Sequence, residues 1–162
     1  MKETARISKL FVDLYNGSPW LDVNIVTSLG KITSQQAANK IAPNCNSIWE
    51  ILNHIIGWRK EILKLVQDVK TIPPKNNFFE PVSVMTDEAW IETLMQLSQS
   101  QALWIDFLQK LRGKDLNLNF ERNNFTYYEH IHGILQHDAY HLGQIVLLAK
   151  LSEKEKVIGD KE

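Results

Sequence analysis

Four stretches of the chain repeat apolar residues at the i, i+3, i+4, i+7 spacing of a helix with one buried face. Ile7, Leu10, Phe11, Leu14 and Tyr15 make the first, which Gly17-Ser18-Pro19 stops. Ile48, Ile51, Leu52, Ile55, Ile62 and Leu65 make the second, which opens on the capping box Ser47-Ile48-Trp49-Glu50 and is expected to reach Val69. The third repeats Trp90, Leu94, Leu97, Trp104, Leu108 and Leu111. Thr86 is its N-cap, Asp87 and Glu88 sit on the positive end of its dipole, and Gly113 is the stop. The fourth opens on a second capping box, Thr126-Tyr127-Tyr128-Glu129, and is expected to run to Leu151.

The connections carry their own signals. Short helices are predicted near 22–29 and after Thr33, before Pro43-Asn44 breaks the chain. Residues 70–85 hold Ile72-Pro73-Pro74 and Pro81 and predict a long loop. Loops of that length are uncommon unless functional. Its adjacent Phe78 and Phe79 need somewhere to bury, so the loop is expected to cover a site or join a dimer surface. A polar loop is expected over 114–125, and a frayed charged tail over Ser152–Glu162. There is no strand pattern and no internal repeat. The expected fold is all-α, a four-helix bundle with long connecting loops, in a single domain 1–162.

Composition narrows the partners. The 162 residues are 44% hydrophobic and 23% charged, an ordinary globular balance. The net charge of −1 lacks the basic excess of a nucleic-acid binder. Cys45 is the single cysteine, which rules out an internal disulfide and fits a reducing cytoplasm. No apolar run approaches the roughly 20 residues of a membrane span, and the first residues do not read as a secretory leader. A cytoplasmic protein with no membrane partner is expected.

The candidate chemistry lies in the histidines. His137 and His141 are four residues apart, one helical turn, so both rings sit on one face and can grip one ion. They interrupt the apolar stripe of Ile134, Ile145 and Leu148, so they are expected to point into the core. His54 lies in the second amphipathic helix and is the candidate third ligand. Three imidazoles suit zinc, nickel, iron or copper ions and leave open positions for water or substrate. The competing reading is a set of core histidines satisfied by hydrogen bonds, and spacing alone leaves both open. The pair lacks the glutamate of His-Glu-x-x-His, since position 138 is Asp. His130 shares the face of His137 but lies two turns away, roughly 10 Å, too far for the same ion, and His132 is off that face.

The segments Ser47-Ile48-Trp49-Glu50-Ile51-Leu52-Asn53-His54-Ile55-Ile56-Gly57-Trp58-Arg59 and Gly133-Ile134-Leu135-Gln136-His137-Asp138-Ala139-Tyr140-His141-Leu142-Gly143-Gln144-Ile145 resemble the two hallmark stretches of the DinB-like superfamily. That superfamily includes a branch of metal-dependent hydrolases and thiol S-transferases similar to bacillithiol transferase. Gly17-Ser18-Pro19-Trp20-Leu21-Asp22 also resembles the opening of this branch, so the likeness covers about residues 5 to 151. The resemblance implies a four-helix bundle, commonly a homodimer, and one divalent metal ion, zinc or nickel foremost, held by His54, His137 and His141.

Each neighbour has a functional and a plainer reading. Glu50 is a candidate general base, though its capping box already explains it. Tyr140 is a candidate donor to an oxyanion, or packs between helices. Gln144, one turn past His141, is a candidate hydrogen-bond partner at the site. Asp138 is read as solvated or helix-packing rather than as the orienter of a ligand. Arg59 is read as a surface ion pair rather than an anchor for an acidic substrate, and Cys45 as structural. Gly57 and Gly143 are read as making room for helices or substrate. Trp49, Trp58, Trp90 and Trp104 are read as core. The leading expectation is a cytoplasmic metal-dependent transferase of the thiol S-transferase type, using a low-molecular-weight thiol, or a hydrolase, acting on a small-molecule substrate. The competing expectations are a non-catalytic dimeric metal-binding or stress-response protein and a bundle whose histidines are inert.

Overall fold

The computed structural model describes residues 1–70, 72–120 and 124–159, the segment 153–159 by backbone only. Among them are four long helices, α1 (Glu3–Asn16), α4 (Ile48–Leu65), α5 (Asp87–Lys110) and α6 (Tyr127–Gly159). Two short ones, α2 (Ile25–Leu29) and α3 (Ser34–Ala38), lead from α1 to α4. A 3-10 turn at Gly113–Asn117 and an isolated bridge between Asn119 and Thr126 are the only regular features between α5 and α6 among the described residues.

The helix starts follow local chemistry. The Ser47 hydroxyl accepts from the Glu50 amide at 3.2 Å, and Glu50 Oε2 accepts from the Ser47 amide at 2.8 Å. Thr33 and Gln36 close the same box at α3, and Thr126 and Glu129 do so at α6. Asn24 caps α2, and Thr86 caps α5 as expected. The ends differ more. α4 stops at Leu65 rather than Val69, and the chain turns through a left-handed Asp68. α6 continues to Gly159, beyond the expected end at Leu151. Of the expected loops and tail, Thr71, residues 121–123 and residues 160–162 lie outside the described residues.

α5 packs on α1 and α4, α6 packs on α4, and α1 touches α6, which closes a ring of four helices. Two apolar clusters fill it. One gathers Leu14, Ile48, Leu52, Ile55, Trp90, Leu97, Leu142 and Ile145; the other gathers Ile7, Phe11, Leu63, Trp104, Leu108, Ile131 and Ile134. Along each long helix one set follows the other.

Between them sits a polar layer. Arg59 and Asp138 are both fully buried, and Arg59 Nε donates to Asp138 Oδ2 at 2.7 Å. Arg59 Nη1 reaches Gln101 Oε1 at 3.0 Å and Ser100 Oγ at 3.4 Å. Gln101 Nε2 donates to the Phe11 carbonyl, and Trp104 Nε1 donates to the Arg59 carbonyl. One network therefore ties all four long helices together. It corrects the sequence reading of Arg59 as a surface pair, and of the two readings of Asp138, solvated or helix-packing, it takes the second. Both stand at i, i+4 steps of a buried stripe, Ile55 to Arg59 and Ile134 to Asp138 to Leu142, and folding carries them inward as a pair.

A buried pair is costly to break, because the survivor stays charged in a low-dielectric interior. Asp138→Ala is expected to lower unfolding free energy by about 3–5 kcal/mol, read from urea midpoints. The double substitution Arg59→Met/Asp138→Leu removes both charges at similar volume and should cost clearly less. Equal losses would mean that the pair contributes only packing.

Candidate metal centre

α4 carries His54 and α6 carries His137 and His141, and the packing of these two helices brings the three rings together. Ring centroids lie 4.8 Å apart for His54 and His137, 4.5 Å for His54 and His141, and 4.5 Å for His137 and His141. One ligand-type nitrogen from each falls within 4.8 Å of the others. His54 and His141 are buried and His137 is half-buried.

The hydrogen bonds set the tautomers. His54 Nδ1 lies 2.6 Å from the Asn77 carbonyl, and His141 Nδ1 lies 2.6 Å from Gln144 Oε1. An oxygen acceptor at that distance requires an N–H, so each neutral ring keeps its proton on Nδ1 and presents a bare Nε2. Gln144 is itself held, its Nε2 donating to the Tyr140 hydroxyl at 3.1 Å. His137 Nε2 faces His54 Nε2 at 2.8 Å. The three rings thus meet around one point, with bare Nε2 lone pairs on His54 and His141 and the far nitrogens of those two rings anchored, the arrangement that orients imidazoles toward a cation.

Burial favours the neutral form of His54 and His141. Desolvation pushes His141 down to about 4, against the raising effect of the Gln144 bond and with help from His137 and His54. Desolvation also lowers His54, partly opposed by its bond to Asn77. Unprotonated imidazole is the form that binds metal, so the donor set fits a divalent cation.

The loop after α4 closes one side. Asn77 gives its carbonyl to His54 and its Oδ1 accepts from Trp58 Nε1 at 2.9 Å. The Phe79 ring stacks on His54 at 4.0 Å and 10°. Phe78 lies directly over Gly57, where a Cβ would fall 2.3 Å from its Cγ. Asn77 and Phe78 both adopt left-handed backbone, at φ 56° and 62°. Non-glycine residues hold such conformations only when their surroundings over-determine them; the Gly57 seat and the His54 and Trp58 bonds do so here. The covering role expected of the loop is therefore present. Asn77 was not foreseen, and its only sequence signal was the neighbouring Phe78-Phe79 pair. Trp58 also departs from expectation: it is half-buried at the site, whereas Trp49, Trp90 and Trp104 are core.

The other candidates separate clearly. Glu50 is spent, with Oε2 on the Ser47 amide and Oε1 on Lys40 at 2.8 Å. Tyr140 is 65% exposed, its ring beside His141 at 4.9 Å. His130 and His132 join other aromatic contacts, with Phe120 and Phe125 and with Tyr128 respectively. Cys45 is a free, exposed thiol rather than a packed one. Gly143 has open space beside it. Beside the centre, His137, Trp58, Ile62, Gly133 and Ile134 help line a largely apolar groove of about 490 Å³.

The family model of the DinB superfamily matches residues 24–145, more than half of the chain and including all three histidines. The chain belongs to the DinB superfamily. No curated protein and no solved structure matches it. The resemblance of the two histidine-bearing segments is thereby confirmed at the level of the superfamily, and the all-α architecture agrees with it.

Two outcomes follow from this geometry. His141 folds with a pKa below its unfolded value of 6.5, so the unfolded chain takes up protons first as pH falls. The metal-free protein should hold this contribution fully above pH 6.5 and lose it progressively toward the folded value of about 4. Urea unfolding across that range measures it, and His141→Asn should flatten the slope. Gly57→Ala should lift Phe78 and speed tryptic cleavage after Lys75, while Gly133→Ala, with open space at its Cβ, should not. Unchanged cleavage in Gly57→Ala would mean that the loop is not held by this seat.

Proposed function

We propose that this DinB-superfamily protein binds a divalent metal ion, zinc or nickel foremost, through His54, His137 and His141, and acts as a metal-dependent transferase of the thiol S-transferase type. The carrying observation is the convergence of one ring nitrogen from each of three histidines, two of which, His54 and His141, are held neutral by burial and oriented through Nδ1. When bound, the ion supplies Lewis acidity that favours the anionic form of a coordinating water or thiol.

The chain's own residues supply the rest. Asn77 and Gln144 fix two rings, Phe79 screens His54 from water, and the apolar groove offers a small organic substrate a place beside His137. Among the described residues, Glu50 is tied to Ser47 and Lys40, Asp138 to Arg59, and Gln144 to Tyr140 and His141. Glu50 is thus occupied, and Asp138, with one oxygen on Arg59, is fully buried behind His137 and out of reach of a water at the centre. This favours a thiol, which ionises more readily, over the hydrolase reading in which water is the nucleophile.

A homodimer in a reducing cytoplasm belongs to the same proposal. Trp20 is 96% exposed, and α6 presents Tyr140 and Leu147 outward, an apolar stripe suited to a second copy. The free Cys45 fits a reducing compartment, and among the described residues no helix is long and apolar enough to cross a membrane.

Metal analysis of the purified protein, calorimetric titration with zinc and nickel, and a screen of small thiols against a reactive electrophile test the reading. His141→Ala should lose stoichiometric metal uptake and all metal-dependent turnover while keeping its helical circular dichroism, because Ile134, Leu142 and Ile145 still bury that face. Unchanged affinity in the folded variant would make His141 a core histidine. Tight metal binding without turnover for any thiol would favour the non-catalytic metal-binding protein.

A further inference from the structure

His137 differs from the other two histidines. His54 and His141 each have an oxygen against Nδ1, but His137 Nδ1 is buried with no hydrogen-bond partner among the described residues. The adjacent Asp138 has an equally orphaned atom. Its Oδ2 accepts from Arg59, while its Oδ1 is buried and unpartnered. These two atoms lie 3.6 Å apart, just beyond hydrogen-bond distance. Burying two complementary polar groups unpaired is costly, and two such groups side by side point to a state in which they bond to each other.

The tautomers say which state that is. His54 keeps its proton on Nδ1, so its Nε2 can only accept, and the 2.8 Å contact requires His137 to donate from Nε2. A neutral His137 then has a bare Nδ1 beside a carboxylate oxygen, lone pair against lone pair, which accounts for the 3.6 Å separation. Coordination would need the opposite tautomer, with Nε2 bare and Nδ1 protonated.

Resting on the metal reading above, we propose that Asp138 is the positioning residue for His137. When a cation binds, the His137 proton moves through solvent from Nε2 to Nδ1, and Asp138 Oδ1 accepts it as a hydrogen bond. The ring stays neutral, and this exchange releases no net proton. Arg59, held by Gln101 and Ser100, keeps the carboxylate in place and occupies its other oxygen. Fully buried and tied to Arg59, Asp138 does not itself reach substrate.

The test uses full-length protein carrying ¹⁵N-labelled histidine and zinc alone as the probe. Zinc should move the protonated nitrogen of His137 from Nε2 to Nδ1 in the wild-type spectrum, with a low-field N–H signal. Arg59→Met/Asp138→Leu, which discards the charged pair without stranding either member, should stay helical and bind zinc about 10–100-fold more weakly, the usual cost of losing such a partner. Arg59→Met/Asp138→Asn restores an acceptor oxygen and should recover part of that loss. A folded Met/Leu variant with wild-type affinity and an unchanged His137 spectrum would overturn the assignment to Asp138. Equal loss in both double variants would overturn the hydrogen bond in favour of packing. Wild-type protein that takes up no zinc would overturn the metal reading and this inference with it.

Discussion

The buried Arg59–Asp138 pair is the constraint on which the rest of this structure rests. A guanidinium and a carboxylate removed from water must find each other, or the fold loses several times the thermal energy. Asp138 on α6 meets Arg59 on α4, which reaches Ser100 and Gln101 on α5, and Gln101 reaches the Phe11 carbonyl on α1. Apolar contacts alone would tolerate sliding of one helix past another by a turn. A buried polar layer of this kind does not, because any slip leaves charges unpaired.

That register is what builds the candidate centre. His54 stands five residues before Arg59 on α4, and His137 directly precedes Asp138 on α6. Locking Arg59 to Asp138 therefore sets the level at which the two histidine-bearing faces meet. His141 follows one turn further on, at the edge of the cluster that contains Leu142 and Ile145. The centre sits at the junction between the polar layer and one apolar cluster, where His54 and His141 are shielded from water, His137 faces the groove, and oriented acceptors are close. Desolvation keeps His54 and His141 neutral, and the Asn77 and Gln144 oxygens aim their lone pairs, so one environment does both tasks.

The loop after α4 acts from the other side. Its left-handed Asn77 and Phe78 hold a conformation that would be unfavourable in isolation. Three features compensate: the open face of Gly57, the bond from His54 and the bond from Trp58. Because the carbonyl that orients His54 belongs to this loop, shielding of the site and orientation of its ring are coupled.

How much of this could be read along the chain depends on the range of the forces involved. The four long helices, the caps at Ser47, Thr86 and Thr126, and the inward face of His137 and His141 are local consequences of periodicity and hydrogen-bonding side chains. The resemblance to the DinB superfamily then placed His54 with them. Helix ends were less legible: α4 stops early and α6 runs on to Gly159, because termini answer to packing and turn geometry as much as to composition. Arg59 reads as a surface ion pair, and Asp138 as either solvated or helix-packing, although each falls on a buried stripe. A single charged residue in an apolar pattern reads as surface until its partner, 79 positions away, is known. Asn77 carries no signal of its own, since a backbone carbonyl is common to every residue. The sequence by itself determined the helices, their buried faces and the histidines available to a cation. The tertiary structure decided which nitrogens converge, which tautomers they take and which loop covers them, because those depend on contacts between segments that only packing brings within hydrogen-bond distance.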